Sequence, residues 1–151
     1  MNTTDYKQLI RDSYQVFTSG DVSVLDTYFN RDVVNHTPDH NVPSVKKGID
    51  YFKEQLSFYF SAFSNMSVDI KEILGEGDTV ISYVTVKGKH TGELLGTPPT
   101  NREINVDLCE MFKFRNGKIS EYWGVFDNLA FLMQLGVITE EDLHKKGGAL
   151  I

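Results

Sequence analysis

"GIDYFKEQLSFYFSAF" spans residues 48–63, and its spacing decides the fold. Ile49, Phe52, Leu56, Tyr59, Phe60 and Phe63 recur at intervals of three and four, which predicts a helix with one buried face. That face is strongly aromatic, so it needs a broad apolar partner. The chain downstream supplies one. "MSVDIKEILGEG" (66–77) alternates, with Val68, Ile70 and Ile73 as its apolar positions. "TVISYVTVKGKH" (79–90) is β-branched and aromatic throughout, and residues 102–115 put Ile104, Val106, Leu108, Phe112 and Phe114 on alternate positions. Residues 118–126 form a last strand. "EGD" and "RNGK" read as hairpin turns between them, because Asn116-Gly117 readily takes positive φ.

Upstream, "MNTTDYKQLIRDSYQVF" (1–17) predicts a helix capped by Thr3 or Thr4, with Tyr6, Leu9, Ile10, Tyr14 and Phe17 on one stripe. Gly20 stops it. "DVSVLDTYF" (21–29) reads as a short second helix, "DVVNHTP" (32–38) as a brief extended piece, and 39–47 as loop. Beyond the strands, Asp127 or Asn128 can cap a helix at "NLAFLMQLG", and Thr139 with Asp142 opens a final turn. Strands and helices do not alternate as βαβ units, so the class is α+β, one domain over 1–151. A strongly curved antiparallel sheet wrapped around the long helix would bury its aromatic face and leave a deep conical pocket.

Composition narrows the partners. A net charge of −6 and no basic run longer than a Lys-Lys pair argue against nucleic acid and anionic membranes. No stretch is long and apolar enough to span a bilayer, and the N-terminal stretch has no signal-type apolar core, so a cytoplasmic location is expected. Ten Phe and seven Tyr can fill a core or line a pocket for a flat apolar ligand. The lone Cys109 reads as core filler. Metal-binding, phosphate-loop and nucleophile-elbow motifs do not occur, so no metal and no cofactor is expected.

"GKHTGELLGTPPT" (88–100) holds the first candidate for chemistry. Strand parity puts Val80, Ser82, Val84, Val86, Gly88 and His90 on one mostly apolar face, with His90 at its end. On the last strand, Ile119, Glu121, Trp123, Val125 and Asp127 share a face, unless a bulge intervenes. His90 and Asp127 could therefore meet as an acid/base pair, the carboxylate desolvated by aromatic neighbours. Equally, Asp127 could be only a helix N-cap and His90 a hydrogen-bonded turn residue. Glu110 interrupts the apolar row of its strand, as a buried functional carboxylate or as the mark of a bulge. Tyr59, Phe63, Tyr83 and Trp123 are candidate walls for a substrate. His36 is placed at the pocket mouth or on the surface.

The chain resembles the SnoaL-like polyketide cyclase (ester cyclase) family of the NTF2-like superfamily. The resemblance runs through "FSAFSNMSVDIKEILGEGDTV", "GKHTGELLGTPPTNREINV" and "FKFRNGKISEYWGVFDNLAFLMQLG", with "VVNHTP" and the "GIDYFK" helix start also fitting. It implies an NTF2-like α+β cone around a deep pocket, and intramolecular aldol ring closure without metal or cofactor. The substrate would be a small hydrophobic carbonyl compound of polyketide-like type. By the match, Asp127 corresponds to the family's acid/base aspartate, His90 to a histidine of the same cavity, and His36 to one near the entrance. Family members are commonly dimers or tetramers built through the sheet. One departure is Asn101, where the family has Gly after "GTPPT"; Asn tolerates positive φ, so the turn is expected to survive. Two other readings stand beside the cyclase: a non-catalytic small-molecule-binding or dimerisation domain, and an epoxide or lactone hydrolase. The hydrolase would need an arginine-linked second acid, for which Arg102 and Arg115 are the nearest arginines.

Overall fold

A computed structural model describes residues 1–145. Helix α1 (Thr3–Ser13) begins one residue earlier than its threonines suggest. Asn2 caps it, accepting from the Asp5 backbone N–H while the Asp5 carboxylate accepts from that of Asn2, a reciprocal box. The helix expected to run on through Phe17 breaks at Tyr14 and resumes as α2 (Val16–Ser19). At the break the Ser13 hydroxyl bonds back to the Ile10 carbonyl, a local competitor of the helical ladder. Gly20 ends α2 at φ +69°. The expected second helix is split into a 3-10 turn at Val22–Val24, capped by Asp21, and α3 (Leu25–Tyr28).

The long helix is α4 (Ile49–Ala62). Five strands follow the order β1-β5-β4-β3-β2. They are β1 (Phe29–Asn35), β2 (Phe63–Glu76), β3 (Thr79–His90), β4 (Glu103–Arg115) and β5 (Lys118–Phe126). The sheet is mixed, not wholly antiparallel as expected, because β1 pairs in parallel with β5. Residue alternation reveals a strand but not its direction, and this partner lies across the whole sheet in sequence. Helix α4 packs chiefly on β1 and β2, the two edge strands, so it bridges the sheet from rim to rim.

Two register shifts in β2, between Ser64 and Ser67 and between Ile70 and Glu72, bend the longest strand toward the helices. Asn65, at φ +53°, sits in the first of them. The second explains why Ile73 is buried although Val68 and Ile70 occupy the opposite parity. Helix α5 (Asn128–Gln134) covers β4, and α6 (Glu140–His144) starts from the expected Thr139–Asp142 box. Ile10, Ile119 and Phe131 are wholly enclosed between helices and sheet. No helix among the described residues is long and apolar enough to cross a membrane.

Gly48, the residue before α4, adopts φ +61° and ψ −147°, a region open almost only to glycine. A Cβ there would also collide with the Arg31 carbonyl oxygen, whereas one at Gly20 would meet nothing within 4 Å. Gly48→Ala is therefore expected to cost about 3 kcal/mol or more in urea unfolding, against about 1 for Gly20→Ala. Equal losses would remove the tight approach of α4 to β1 from the account.

Candidate active site

The inner row of β4 runs Ile104, Val106, Leu108, Glu110, Phe112 and Phe114, all buried except the half-buried Leu108. Its pairing with β3 is continuous through this stretch, so Glu110 is no sign of a bulge there; the carboxyl points inward. The bulge lies in β5. Lys113 pairs with Glu121 and Phe114 with Ile119, leaving Ser120 as the extra residue. Parity flips at that point. Ile119 is inward before it; after it Tyr122 is buried and Trp123 is not.

The helices and this inner face enclose a cavity of about 650 Å³, walled mainly by Phe17, Phe52, Leu56, Leu108, Phe126 and Phe131. Glu110 sits in its wall. Tyr14, carried in at the break between α1 and α2, donates to Oε1 at 2.6 Å. Tyr122 donates to Oε2. The Ser82 hydroxyl, from the inner row of β3, lies 2.5 Å from that of Tyr14. Burial pushes the Glu110 carboxyl above the ordinary range, and hydrogen bonds from Tyr122 and Tyr14 partly offset this. Both phenols are held far up, first by burial and then by the neighbouring carboxylate. Directly opposite Glu110 in the β4–β5 pairing is Gly124. A Cβ at that position would collide with the Tyr122 hydroxyl, so the missing side chain leaves room for it to reach Glu110.

The lining also includes His36, Pro38, Asp39 and His40, and the exposure of His36, Pro38 and His40 marks this as its mouth. The Asp39 carboxylate accepts from Tyr59 Oη at 2.6 Å, Gln55 Nε2 at 3.1 Å and the Asn41 backbone N–H at 2.8 Å. Burial, reinforced by Asp39, pushes the Tyr59 phenol up. No residue that lines the cavity among those described is Lys or Arg. Nor do any three His, Cys, Asp or Glu side chains among them gather into a group that could hold a metal ion.

The expected His90–Asp127 pair is not assembled. The two share no hydrogen bond among the described residues, and neither lines the cavity. The β5 bulge and the turn into α5 leave Asp127 exposed, where its Oδ1 accepts from the Ala130 backbone N–H at 3.0 Å as the helix cap. His90 is wholly enclosed, and its Nδ1 accepts from the Thr100 backbone N–H at 3.2 Å. That bond puts the hydrogen of a neutral ring on Nε2, which has no partner among the described residues. Here His90 closes the 91–101 loop, in which Asn101 takes φ +57° as the turn requires.

The other candidates divide. Glu110, Tyr59 and His36 line the cavity. Phe63 is core beneath it, its ring 5.7 Å from that of Phe131 and 5.3 Å from that of His90. Tyr83 faces outward on the unbulged β3–β4 pairing and donates to Asp107 at 2.5 Å. The bulge turns Trp123 outward too, where it stacks on His36 at 4.3 Å while His36 meets Glu121 at 3.1 Å. Sequence reasoning missed Tyr14, Ser82, Tyr122 and Asp39 as site residues. Tyr14 and Ser82 looked like ordinary members of apolar rows, Tyr122 stood on the wrong parity, and Asp39 lay in a stretch read only as loop.

The sequence profile of the SnoaL-like polyketide cyclases matches residues 7–135. The nogalonic acid methyl ester cyclase of Streptomyces nogalater is 27% identical over 122 residues, covering 80% of this chain and 89% of that one. The aklanonic acid methyl ester cyclase DauD of Streptomyces sp. (strain C5) is 27% identical over 135 residues, 85% of this chain and 80% of its own. Among solved structures, wild-type IdmH of Streptomyces antibioticus superposes with a TM-score of 0.77 at 28% identity, covering 87% of this chain and 98% of that one. TsrD of Streptomyces laurentii reaches 0.81 at 23% identity, over 91% and 99%, a likeness of fold.

A buried carboxyl with a raised pKa has a defined effect on stability. The folded state keeps a proton that the unfolded chain releases above 4.5. Stability is therefore full below that pH and falls as pH rises, until Glu110 ionises in the fold. Glu110→Gln has no such proton. The melting temperature of the variant relative to wild type is expected to climb from pH 4.5 upward and then level off. A difference that stays flat with pH would mean Glu110 ionises as easily inside as outside.

Proposed function

The chain belongs to the SnoaL-like polyketide cyclase family, and on that premise we propose that it closes a ring in a small hydrophobic carbonyl compound by acid/base chemistry, without a cofactor. The observation that carries this is the Glu110 carboxyl, enclosed in the cavity wall between two tyrosine hydroxyls with no cation beside it among the described residues. Burial favours its neutral form. A protonated Glu110 donates to one tyrosine oxygen, and that tyrosine's own hydrogen is then free to face a substrate oxygen. Fixed donors in a dry, apolar site stabilise the negative charge that develops on such an oxygen in an enolate or alkoxide.

The ligand class follows from charge. A carboxylate ligand would meet Glu110 and Asp39 with no lysine or arginine among the described lining residues to offset them. An ester removes that charge, and two relatives are named for methyl esters. Nogalonic and aklanonic acid methyl esters are accordingly the first compounds to try. The hydrolase reading loses its arginines. Arg115 pairs with Asp32 at 3.1 Å and Arg102 reaches the Gln134 carbonyl at 3.4 Å, both outside the lining. Glu110→Gln is expected to lower turnover of an accepted ester at least about hundredfold while remaining folded. Full turnover by the variant would return Glu110 to a structural role.

We also propose that two copies associate through the outer sheet face. Leu74, Ile81, Met111 and Trp123 lie side by side across four strands there, with Tyr83, Cys109 and Val125 in the next row. Leu74, Ile81, Tyr83 and Val125 are exposed. A patch of this kind on a single chain points to an interface. Ile81→Glu is expected to shift the protein to monomer in analytical ultracentrifugation. A wild type that is already monomeric at high concentration would end the idea.

A further inference from the structure

Glu110 supplies a hydrogen-bond donor, but ring closure also needs a base. We propose that Asp39 is that base, taking the proton from the substrate carbon that becomes the nucleophile. This rests on the acid/base reading above.

Three features of Asp39 argue for it. First, it lines the cavity at the mouth and is half-buried, so its carboxylate meets a ligand without being cut off from solvent. Second, it is aimed. Beyond the bonds to its carboxylate from Tyr59, Gln55 and Asn41, its backbone N–H donates to Tyr51 Oη at 2.6 Å. Asn41 in turn donates to Asn128 Oδ1 at 2.6 Å, which ties this loop to the start of α5 as well as to α4. A turn residue alone needs only the bond from the N–H two residues on, so the tyrosine and glutamine on Oδ2 go beyond that need. Third, all its donors are neutral. Among the described residues no lysine or arginine pairs with it, whereas Asp26, Asp32 and Asp69 each have such a partner. This neutral cradle fixes the position of the carboxylate with no ion pair among the described residues. Asp39, Glu110, Tyr14 and Tyr122 line the same cavity.

The step balances within the substrate. Asp39 removes a proton from carbon next to a carbonyl, and the C–H electron pair becomes an enolate whose oxygen faces the Tyr14–Glu110–Tyr122 group. The enolate carbon attacks a second carbonyl carbon, forming the new C–C bond and moving the C=O pair onto oxygen. That oxygen takes back the proton from Asp39. No atom enters or leaves.

The test is solvent deuterium uptake. Nogalonic and aklanonic acid methyl esters are incubated with the protein in D2O, and mass spectrometry follows deuterium at the acidic carbon together with ring closure. Asp39→Asn is expected to lose both signals at least about hundredfold, with a melting temperature near that of wild type. Asp39→Ala is expected to regain part of the uptake when formate is added, which a loop staple would not do. Wild-type uptake by Asp39→Asn, beside an inactive Glu110→Gln, overturns the base assignment and leaves the acid/base reading standing. Loss without formate rescue makes Asp39 a staple and likewise overturns it. A wild type inert toward both esters overturns the ester reading, and this inference with it.

Discussion

One extra residue in β5, opposite Lys113 and Phe114, decides what the last strand sends into the cavity. Side chains alternate with a period of two, so a single insertion exchanges the faces of everything after it. Ser120 absorbs the insertion, its hydroxyl bonding the Lys113 carbonyl at 3.1 Å. Beyond it Tyr122 turns in to Glu110 and Trp123 turns out to His36. Gly124 then leaves the space that the Tyr122 hydroxyl occupies. Without the bulge, Glu121 and Trp123 would face the cavity and Glu110 would keep only the hydroxyl from the helical side.

The polar cluster around Glu110 is a poor way to stabilise a fold. A carboxyl held off from water costs free energy that neutral hydrogen bonds repay only in part, and an apolar side chain of similar size would serve the core better. Tyr14 and Tyr122 are the partial repayment: each buries a ring in the core and brings one hydroxyl to one carboxyl oxygen. A chain that keeps so costly an arrangement inside an apolar cavity fits a use in chemistry better than a use in packing.

Much of the fold was legible because it rests on local pattern. The α4 spacing, the alternation of β3 and β4, the Asn116-Gly117 turn and the Thr139 cap all follow from residues close in sequence. The direction of β1, the break at Tyr14 and the β5 bulge do not: the first depends on a partner distant in the chain, and the other two interrupt a periodicity that the residue pattern carries straight through. The site divides the same way. Glu110 announced itself as a charge in an apolar row. Tyr14 and Tyr122 carry apolar rings that serve the core, so nothing in the row marks their hydroxyls as partners. Parity carried past the bulge led to Asp127, whose carboxylate is used instead to cap α5.

The two carboxyl groups of the cavity keep separate hydrogen-bond partners. Carboxyls in contact share a proton, and neither then acts independently as donor or acceptor. Burial raises the Glu110 carboxyl, and the hydrogen bonds from Tyr122 and Tyr14 partly offset it. One carboxyl is wrapped in the aromatic interior, where its neutral form is favoured. The other stands at a wetter mouth among polar side chains from α4 and α5. The rest of the described lining is mainly apolar and holds no lysine or arginine. On the proposed assignment, a ligand held between the two groups would meet a donor at Glu110 and an acceptor at Asp39, and the position of its own oxygens would select which carbon is exposed to the base.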